Sequence, residues 1–221
     1  MSTPKNPVVA IDGPVAAGKS TVGQRVAQAL GCPFVDTGLM YRAIAWLALQ
    51  RGADLVDAPA LTRLAEQADI RVDGPRVWVA GREVGGLLRT PEVDAASSRV
   101  AAIPGVRAAM VAKQRAIAAA GGVVMVGRDI GTVVLKDAPV KVYLSASPEE
   151  RARRRYEETL QKGAPADRER VLADLRDRDR RDMERATSPL RPADDARIVD
   201  TDGLTLDQVV EQVLELVQAH A

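Results

Sequence analysis

The sequence holds a single cysteine, a single histidine and almost no net charge, and it has no apolar run of the about 18 residues that a membrane span needs. Each shortage excludes something. A lone Cys32 rules out an intrachain disulfide framework and fits a reducing compartment; burial at the start of a strand is expected of it, rather than chemistry. His220 lies close to the end of the sequence, where no catalytic role is expected. Lysine and arginine number 31 against 30 aspartates and glutamates, a formal net charge of +1. That gives no broad positive field for a nucleic acid, so any basic functional surface has to be local. Aromatic residues make up 3% of the chain and do not alternate with the basic segments, so stacking on single-stranded bases is not expected either. The Met1–Pro7 stretch is polar and lacks the apolar segment of a secretory signal. A cytoplasmic protein with small-molecule substrates, no nucleic acid and no membrane is the expectation.

What remains is ordinary globular material: 221 residues, 46% hydrophobic and 28% charged, enough for one sizeable core. A monomer is expected, because the apolar helices are all needed for that core. The most informative segment is Gly13-Pro14-Val15-Ala16-Ala17-Gly18-Lys19-Ser20-Thr21, which follows apolar Val8 to Ile11 and Asp12. G-x-x-x-x-G-K-S after a strand and before a helix is the spacing of a phosphate-binding P-loop. Gly13 and Gly18 allow backbone angles and a close approach that side chains would block. The backbone of Gly13, Pro14, Ala16, Ala17 and Gly18 can then surround phosphate oxygens at the N-terminus of the next helix. Lys19 can reach between phosphate groups, and the Ser20 hydroxyl is the expected Mg²⁺ ligand. Thr21 either adds a phosphate contact or caps the helix. A nucleoside triphosphate is the expected ligand, and the absence of G-x-G-x-x-G after the first strand disfavours a dinucleotide.

Apolar runs punctuated by glycine and proline predict strands at 8–12, 34–36, 123–126, 140–144 and 197–200. Helices are predicted over 19–30, 39–50, 91–101, 104–120 and 205–218, with another beginning near Pro148. The alternation implies an α/β fold with a parallel sheet and helical crossovers. Residues 69–86 break the pattern. Ile70-Arg71-Val72, Val77-Trp78-Val79 and Glu83-Val84 have period two between Asp73-Gly74-Pro75 and Gly81, which predicts a small antiparallel excursion able to cover a substrate.

Four polar segments fall where parallel α/β proteins place ligands, at strand ends and on single helix faces. They are Asp36 to Arg42; Ser97-Ser98-Arg99 with Arg107; Gly127-Arg128-Asp129-Ile130-Gly131-Thr132; and Arg178 to Arg185. The planar donor fork of arginine suits phosphate. Arg178, Arg181, Asp182 and Arg185 recur near one and two helical turns, so they can converge. These residues point to a second anionic substrate. They leave open a kinase acting on UMP or another small acceptor, and a nucleotide-responsive binding protein that hydrolyses or senses ATP.

From Val8 to Val217 the combined pattern resembles the bacterial cytidylate kinases, members of the adenylate-kinase-like nucleoside monophosphate kinases. The resemblance rests on Asp36-Thr37-Gly38 through Arg42, on Gly127 through Val134, and on Arg178 through Arg185 followed by Ala186-Thr187-Ser188-Pro189-Leu190. It implies a three-layer P-loop kinase fold with a five-stranded parallel core sheet, a small antiparallel insert and a short lid. Within one domain spanning 1–221, it places a monophosphate-binding region at 37–104 and the lid at 151–168. The implied reaction moves the γ-phosphoryl group of ATP to CMP or dCMP with Mg²⁺. Ser98, Arg107 and Asp129 would read the cytosine edge, whose carbonyl, ring nitrogen and amino group they can match. Asp182 would hold the sugar hydroxyls, and Thr37 would sit near the acceptor phosphate. Arg42, Arg128, Arg178 and Arg185 would grip that phosphate and the transferring group, with Lys19, Arg128, Arg178, Arg185 and Arg155 as the catalytic set.

In the implied lid stand Arg151, Arg153, Arg154, Arg155, Lys162 and Arg168. Arg151 and Arg155, four residues apart, would face ATP from one side. The sequence departs from the family pattern twice. Val15-Ala16 replaces small polar or glycine residues of the phosphate loop, so no hydroxyl there can meet the acceptor phosphate. Val126 stands before Gly-Arg-Asp where an acidic residue is common, which puts one supporting ion pair in doubt.

Overall fold

The computed structural model describes residues 7–161, 163–185 and 187–220; Met1 to Asn6, Lys162, Ala186 and Ala221 lie outside the described residues. In chain order β1 (Val8–Asp12), α1 (Lys19–Leu30), β2 (Phe34–Asp36), α2 (Thr37–Gln50) and α3 (Ala58–Gln67) come first. A three-stranded excursion follows, β3 (Ile70–Asp73), β4 (Arg76–Val79) and β5 (Arg82–Glu83), and then α4 (Pro91–Val100) and α5 (Pro104–Ala118). The second half consists of β6 (Val123–Val126), β7 (Val140–Ser145), α6 (Pro148–Gln161), α7 (Arg168–Met183), β8 (Arg197–Asp200) and α8 (Leu206–Gln218).

The five strands expected from the apolar segments pair into one parallel sheet of order β2-β6-β1-β7-β8, with β1 central between β6 and β7. Strands buried on both faces must be apolar at successive positions, and β1 and β6 are. Val9 and Ile11 face a core shared with Val22 and Val26 of α1 and Val213 and Val217 of α8. Ala10, pointing the other way, packs with Met40 and Ile44 of α2 and with Val106 and Met110 of α5. Each fully buried side chain of this size is worth about 1.5–3 kcal/mol, so β1 is clamped from both sides. That clamping decides where the chemistry can sit, because the loop leaving β1 inherits its rigidity. The expected α/β class, parallel core and antiparallel insert are all present.

Several boundaries differ from the sequence expectation for local reasons. α2 begins at Thr37 rather than Leu39, because the Asp36 side chain accepts from Gly38 N (2.9 Å) and starts the helix earlier. α3 was not anticipated. Asp57 caps it by accepting from Ala60 N, and Leu61, Leu64 and Ala65 bury one face. The last small strand is Arg82–Glu83 rather than 83–84, since Val84 turns inward and donates its N–H to Val77 O (2.8 Å). α4 and α5 end at Val100 and Ala118, one and two residues early. Thr205 lies outside α8 as its N-cap, in a reciprocal capping box with Gln208. Cys32 is half-buried two residues before β2, and burial pushes its thiol up. Among the described residues no helix is long and apolar enough to cross a membrane.

The carboxyl ends of β1, β2 and β6 open on one side of the sheet, delivering Gly13, Thr37 and Gly127 respectively. Crevices at such strand ends, where the connections diverge, are where open α/β sheets hold ligands.

Candidate active site

At the end of β1, Gly13 has φ +148°, and a Cβ there would overlap the Leu144 carbonyl oxygen. Only glycine fits. Gly18, at φ +86°, is the N-cap of α1 and makes no side-chain capping bond, so the helix's first N–H groups are left to another acceptor. Ala16 takes a left-handed φ of +62°, a conformation that costs a side chain roughly 1–2 kcal/mol. The departure at Val15-Ala16 therefore strains the loop as well as removing a hydroxyl. Lys19 donates from Nζ to Pro14 O (2.6 Å) across this loop. The residue keeps some exposed surface, but burial around the ammonium pushes it down to about 7, helped by the nearby Arg128 guanidinium. Ser20 Oγ donates to Asp36 Oδ2 (2.7 Å), and Thr21 is exposed.

Opposite this loop lies a layer of arginines and carboxylates. Thr37 is buried and donates from Oγ1 to Val126 O (2.9 Å), tying the start of α2 to β6. A Cβ on Gly127 would stand 2.7 Å from that same Oγ1 and 2.6 Å from Ile130 Cδ1, so the motif's glycine is needed for close packing. Arg107 and Asp129 form a fully buried ion pair, with side chains 4% and 8% exposed. Arg107 also donates to Ala101 O (3.3 Å) and lies over the Tyr41 ring, 5.6 Å from its centroid. Burial raises Tyr41 to about 12. Ser98 is half-buried on α4.

Arg128 pairs with Asp182, which Arg185 also approaches at 3.8 Å while donating to Ser188 O (2.7 Å). Arg42 pairs with Asp94 and donates to Leu88 O (3.2 Å). Burial lowers Arg42 to about 10 and Arg178 to about 9, the latter with help from Arg128 and Arg42. Arg178 has no carboxylate within ion-pair distance among the described residues. Buried side-chain atoms lacking any hydrogen-bond partner among the described residues include the Nε atoms of Arg107, Arg178 and Arg185. Each is a donor withheld from water, which costs free energy unless a ligand accepts from it.

Arg151 and Arg155 part company. Arg151, 3% exposed, donates from Nε to Ala146 O (3.1 Å), from Nη1 to Val15 O (3.1 Å), and through both Nη atoms to Asp179. Its guanidinium braces the phosphate loop from beneath and packs α6 on α7, rather than presenting a free fork. Arg154 likewise roots α6, donating to Thr201 Oγ1 (2.9 Å) and Thr201 O (2.7 Å). Arg155 remains 43% exposed, pairing with Glu158 (3.0 Å) and lying 3.9 Å from Asp94.

Sequence reasoning assigned no role to three carboxylates of this cleft, Asp12, Asp36 and Asp94. Asp12 and Asp36 end apolar strands beside glycine loops, which is a usable signal; Asp94 becomes visible only through its contact with Arg42, 52 residues away. Burial pushes Asp12 up to about 6, partly countered by the N–H groups of Gly131 and Ile130. No group of three or more metal-binding side chains occurs among the described residues. The Ser20 hydroxyl and Asp36 carboxylate fit a hard cation that keeps several waters and takes its other ligands from phosphates, as Mg²⁺ does.

With a clamped central strand feeding a lysine-bearing phosphate loop, and with buried guanidinium Nε atoms across the cleft that lack acceptors among the described residues, the fold and site define a P-loop phosphotransferase acting between two anionic substrates. The family model described as cytidylate kinase matches residues 9–219, and the chain belongs to the cytidylate kinase family, enzymes that phosphorylate CMP and dCMP with ATP. It is 46% identical to a cytidylate kinase of Bordetella bronchiseptica over 96% of each chain. With one of Geobacillus kaustophilus it shares 50% identity over 95% of each. Among solved structures, a gluconokinase from Sinorhizobium meliloti has a TM-score of 0.51 at 16% identity, covering 97% of this chain and 93% of that one. At that identity the likeness is one of fold.

Proposed function

We propose that the cleft holds ATP on the Gly13–Thr21 loop and CMP or dCMP against Arg42, Arg107, Arg128, Asp129, Arg178, Asp182 and Arg185, and passes the γ-phosphoryl group between them. One observation carries this reading: buried guanidinium Nε atoms of Arg107, Arg178 and Arg185 lack acceptors within the described protein. An acceptor nucleotide supplies them.

An oxygen of the acceptor phosphate attacks the γ-phosphorus, the new O–P bond forms, and the bond to the β-bridging oxygen breaks with its electron pair leaving on ADP. That attacking oxygen is already anionic, so no general base is needed. Catalysis is in-line placement plus preorganised positive charge. Lys19 meets the β- and γ-phosphates, whose negative charge restores its proton. Arg128 and Arg178 hold the transferring oxygens, and Arg42 and Arg185 hold the acceptor. Ser20 and Asp36 would hold Mg²⁺, which would supply charge neutralisation to the ATP phosphates. Asp129 and Arg107 select cytosine with Ser98, Asp182 takes the sugar hydroxyls, and Thr37 sets the floor near the acceptor phosphate. Arg151 supports the donor through the Val15 carbonyl.

We further infer that residues 37–104 form the monophosphate side and 151–168 a lid over ATP, with Arg155 as its reaching cation. Closure of such a lid excludes water and suppresses hydrolysis. Replacing Arg155 with alanine is expected to lower kcat by about 10-fold or more. Its melting temperature should be unchanged, as the side chain is exposed and its pairs are on the surface. Unaltered turnover with unaltered melting would remove Arg155 from the mechanism. A monomer is supported by the large exposed apolar side chains, Leu49, Val56, Leu87, Leu160, Met183 and Ile198, which fall singly in different parts of the chain.

The deciding experiment is an ATP-dependent transfer assay with CMP, dCMP, UMP, AMP, GMP and dTMP as acceptors and products identified directly. CDP and dCDP should dominate, with purines poorly used. Folded, Mg²⁺-supplied protein that forms no CDP would defeat the assignment, and a preference for UMP would shift it to a different pyrimidine acceptor.

A further inference from the structure

We propose that Asp12 is a positioning residue that holds the acceptor-reading pair Arg128–Asp129 in fixed register with the phosphate loop. The inference rests on the reading of Arg128 and Asp129 given above. Those two residues are bracketed on both sides by hydrogen bonds to the end of β1. Before them, Gly127 N donates to Ile11 O (3.0 Å). After them, Ile130 N donates to Asp12 Oδ1 (2.8 Å) and Gly131 N to Asp12 Oδ2 (2.7 Å). Gly13, the first residue of the phosphate loop, follows Asp12 directly. One carboxylate thus joins the strand that delivers the donor loop to the turn that delivers the acceptor site.

The turn needs such a joint. Residues 130–134 make a single wide turn, with Val134 N bonded to Asp129 O (3.1 Å) and Leu135 N to Ile130 O (2.7 Å), five residues back in each case. In a helical turn the first N–H groups have no acceptor within the turn itself. Here Asp12 supplies two, from a side chain only 4% exposed and on the same strand face as Ala10. Both oxygens are engaged, which explains why the position takes an acid rather than an amide. Asparagine would keep one acceptor and turn an N–H₂ group toward a backbone N–H, leaving that donor buried and opposed. The shift falls on Asp129, whose carboxylate pairs with Arg107, and on Arg128, whose charge faces Lys19. Keeping such groups within about 0.5 Å of the productive geometry is what a supporting contact does.

Asp12→Asn and Gly131→Ala test this together. The second keeps the charge of Asp12 and approaches the same contact from the other side. A Cβ on Gly131 would stand at contact distance from Asp12 Oδ2 (3.4 Å) and 3.2 Å from Lys141 Cδ, so the Lys141 side chain must give by a few tenths of an ångström beside that carboxylate. The measurements are kcat and KM for CMP and for UMP, the Kd of a non-hydrolysable ATP analogue, and thermal unfolding. Asp12→Asn should lose about 10- to 100-fold in kcat/KM for CMP, and its CMP-to-UMP preference should fall at least about 5-fold. Gly131→Ala should move both quantities in the same direction by less, with the Kd of the analogue within about 3-fold of the parent. A folded Asp12→Asn variant, or a folded Asp12→Ser variant where asparagine prevents folding, with an unchanged CMP-to-UMP ratio overturns the proposal. So does equal loss of affinity for the analogue and for CMP, which marks a general structural role. A parent enzyme that fails to prefer CMP overturns the acceptor reading as well, and is told apart by measuring it first.

Discussion

A Lys19→Met variant is expected to lose about 10²- to 10³-fold in kcat, roughly 3–4 kcal/mol of transition-state stabilisation, with a melting temperature equal to or above that of the parent. The two outcomes have one cause. Nζ is withdrawn from water against the Pro14 carbonyl, and burial together with Arg128 lowers its pKa from 10.5 to about 7. The fold therefore opposes the charge that the reaction uses. ATP supplies the phosphate oxygens that make the charge favourable, so the cation is stabilised where negative charge develops rather than in the resting protein.

The sign with pH follows from that depressed value. Between about 10.5 and about 7 the unfolded lysine is protonated and the folded one is not. The parent's handicap relative to methionine grows as pH falls through this window and levels off below it. Melting curves should show a larger advantage for Lys19→Met at pH 6 than at pH 10. A variant that keeps kcat within about 3-fold, or that melts far below the parent at pH 6, would show that the lysine is a structural cation.

The second large effect concerns the Arg107–Asp129 pair. Asp129→Asn should abolish measurable use of CMP and also lower stability by about 3–5 kcal/mol, the usual cost of leaving a buried charge unpaired. For a chain of 221 residues that is a fall of roughly 10 °C in melting temperature. The cost is high because Arg107 has nowhere to go. Its guanidinium sits over Tyr41, donates to Ala101 O, and keeps an Nε without an acceptor among the described residues. A double variant, Arg107→Met with Asp129→Leu, separates the two losses. It should recover most of the melting temperature, since apolar residues of similar volume often replace a buried pair without penalty, yet transfer no phosphate to CMP. Asp129→Asn should still bind an ATP analogue normally. A double variant that regains CMP turnover would mean that the pair is only structural.

What the sequence made legible was what short-range physics decides. The phosphate loop is a backbone device, so its glycines and lysine announce it through spacing, and the apolar strands announce a sheet buried on both faces. Arg128 and Asp129 stood out because a Gly-Arg-Asp run directly follows such a strand. Roles made by contact between distant segments stayed hidden. Asp94 meets Arg42 only because α4 packs on α2, and Asp12 meets Ile130 and Gly131 across 118 and 119 residues. Arg151 shows the opposite difficulty. Helical spacing placed it beside Arg155, and the actual partner is Asp179 on α7. Spacing fixes which side of a helix a residue is on, whereas what it meets there depends on the neighbour. α3 was readable in principle, with Asp57 as cap and Leu61, Leu64 and Ala65 along one face, but its short run between two busier segments drew no assignment.

The rooting of α6 bears on how fast and how far this kinase can cycle. Arg151 ties the first turns of that helix to the donor loop and to α7, and Arg154 ties them to the segment after β8. Arg155, the next residue, has no such root and keeps a side chain 43% exposed. If 151–168 closes as the proposed lid, these bonds would put its fulcrum at residues 151–154 and leave only the stretch beyond them as lever arm. A short arm on a fixed pivot sweeps little solvent and reorganises few contacts per stroke. Thermal adaptation of turnover should then arise from substitutions at the pivot, where one hydrogen bond more or less changes the stiffness of the whole arm, and hardly at all from changes at its tip.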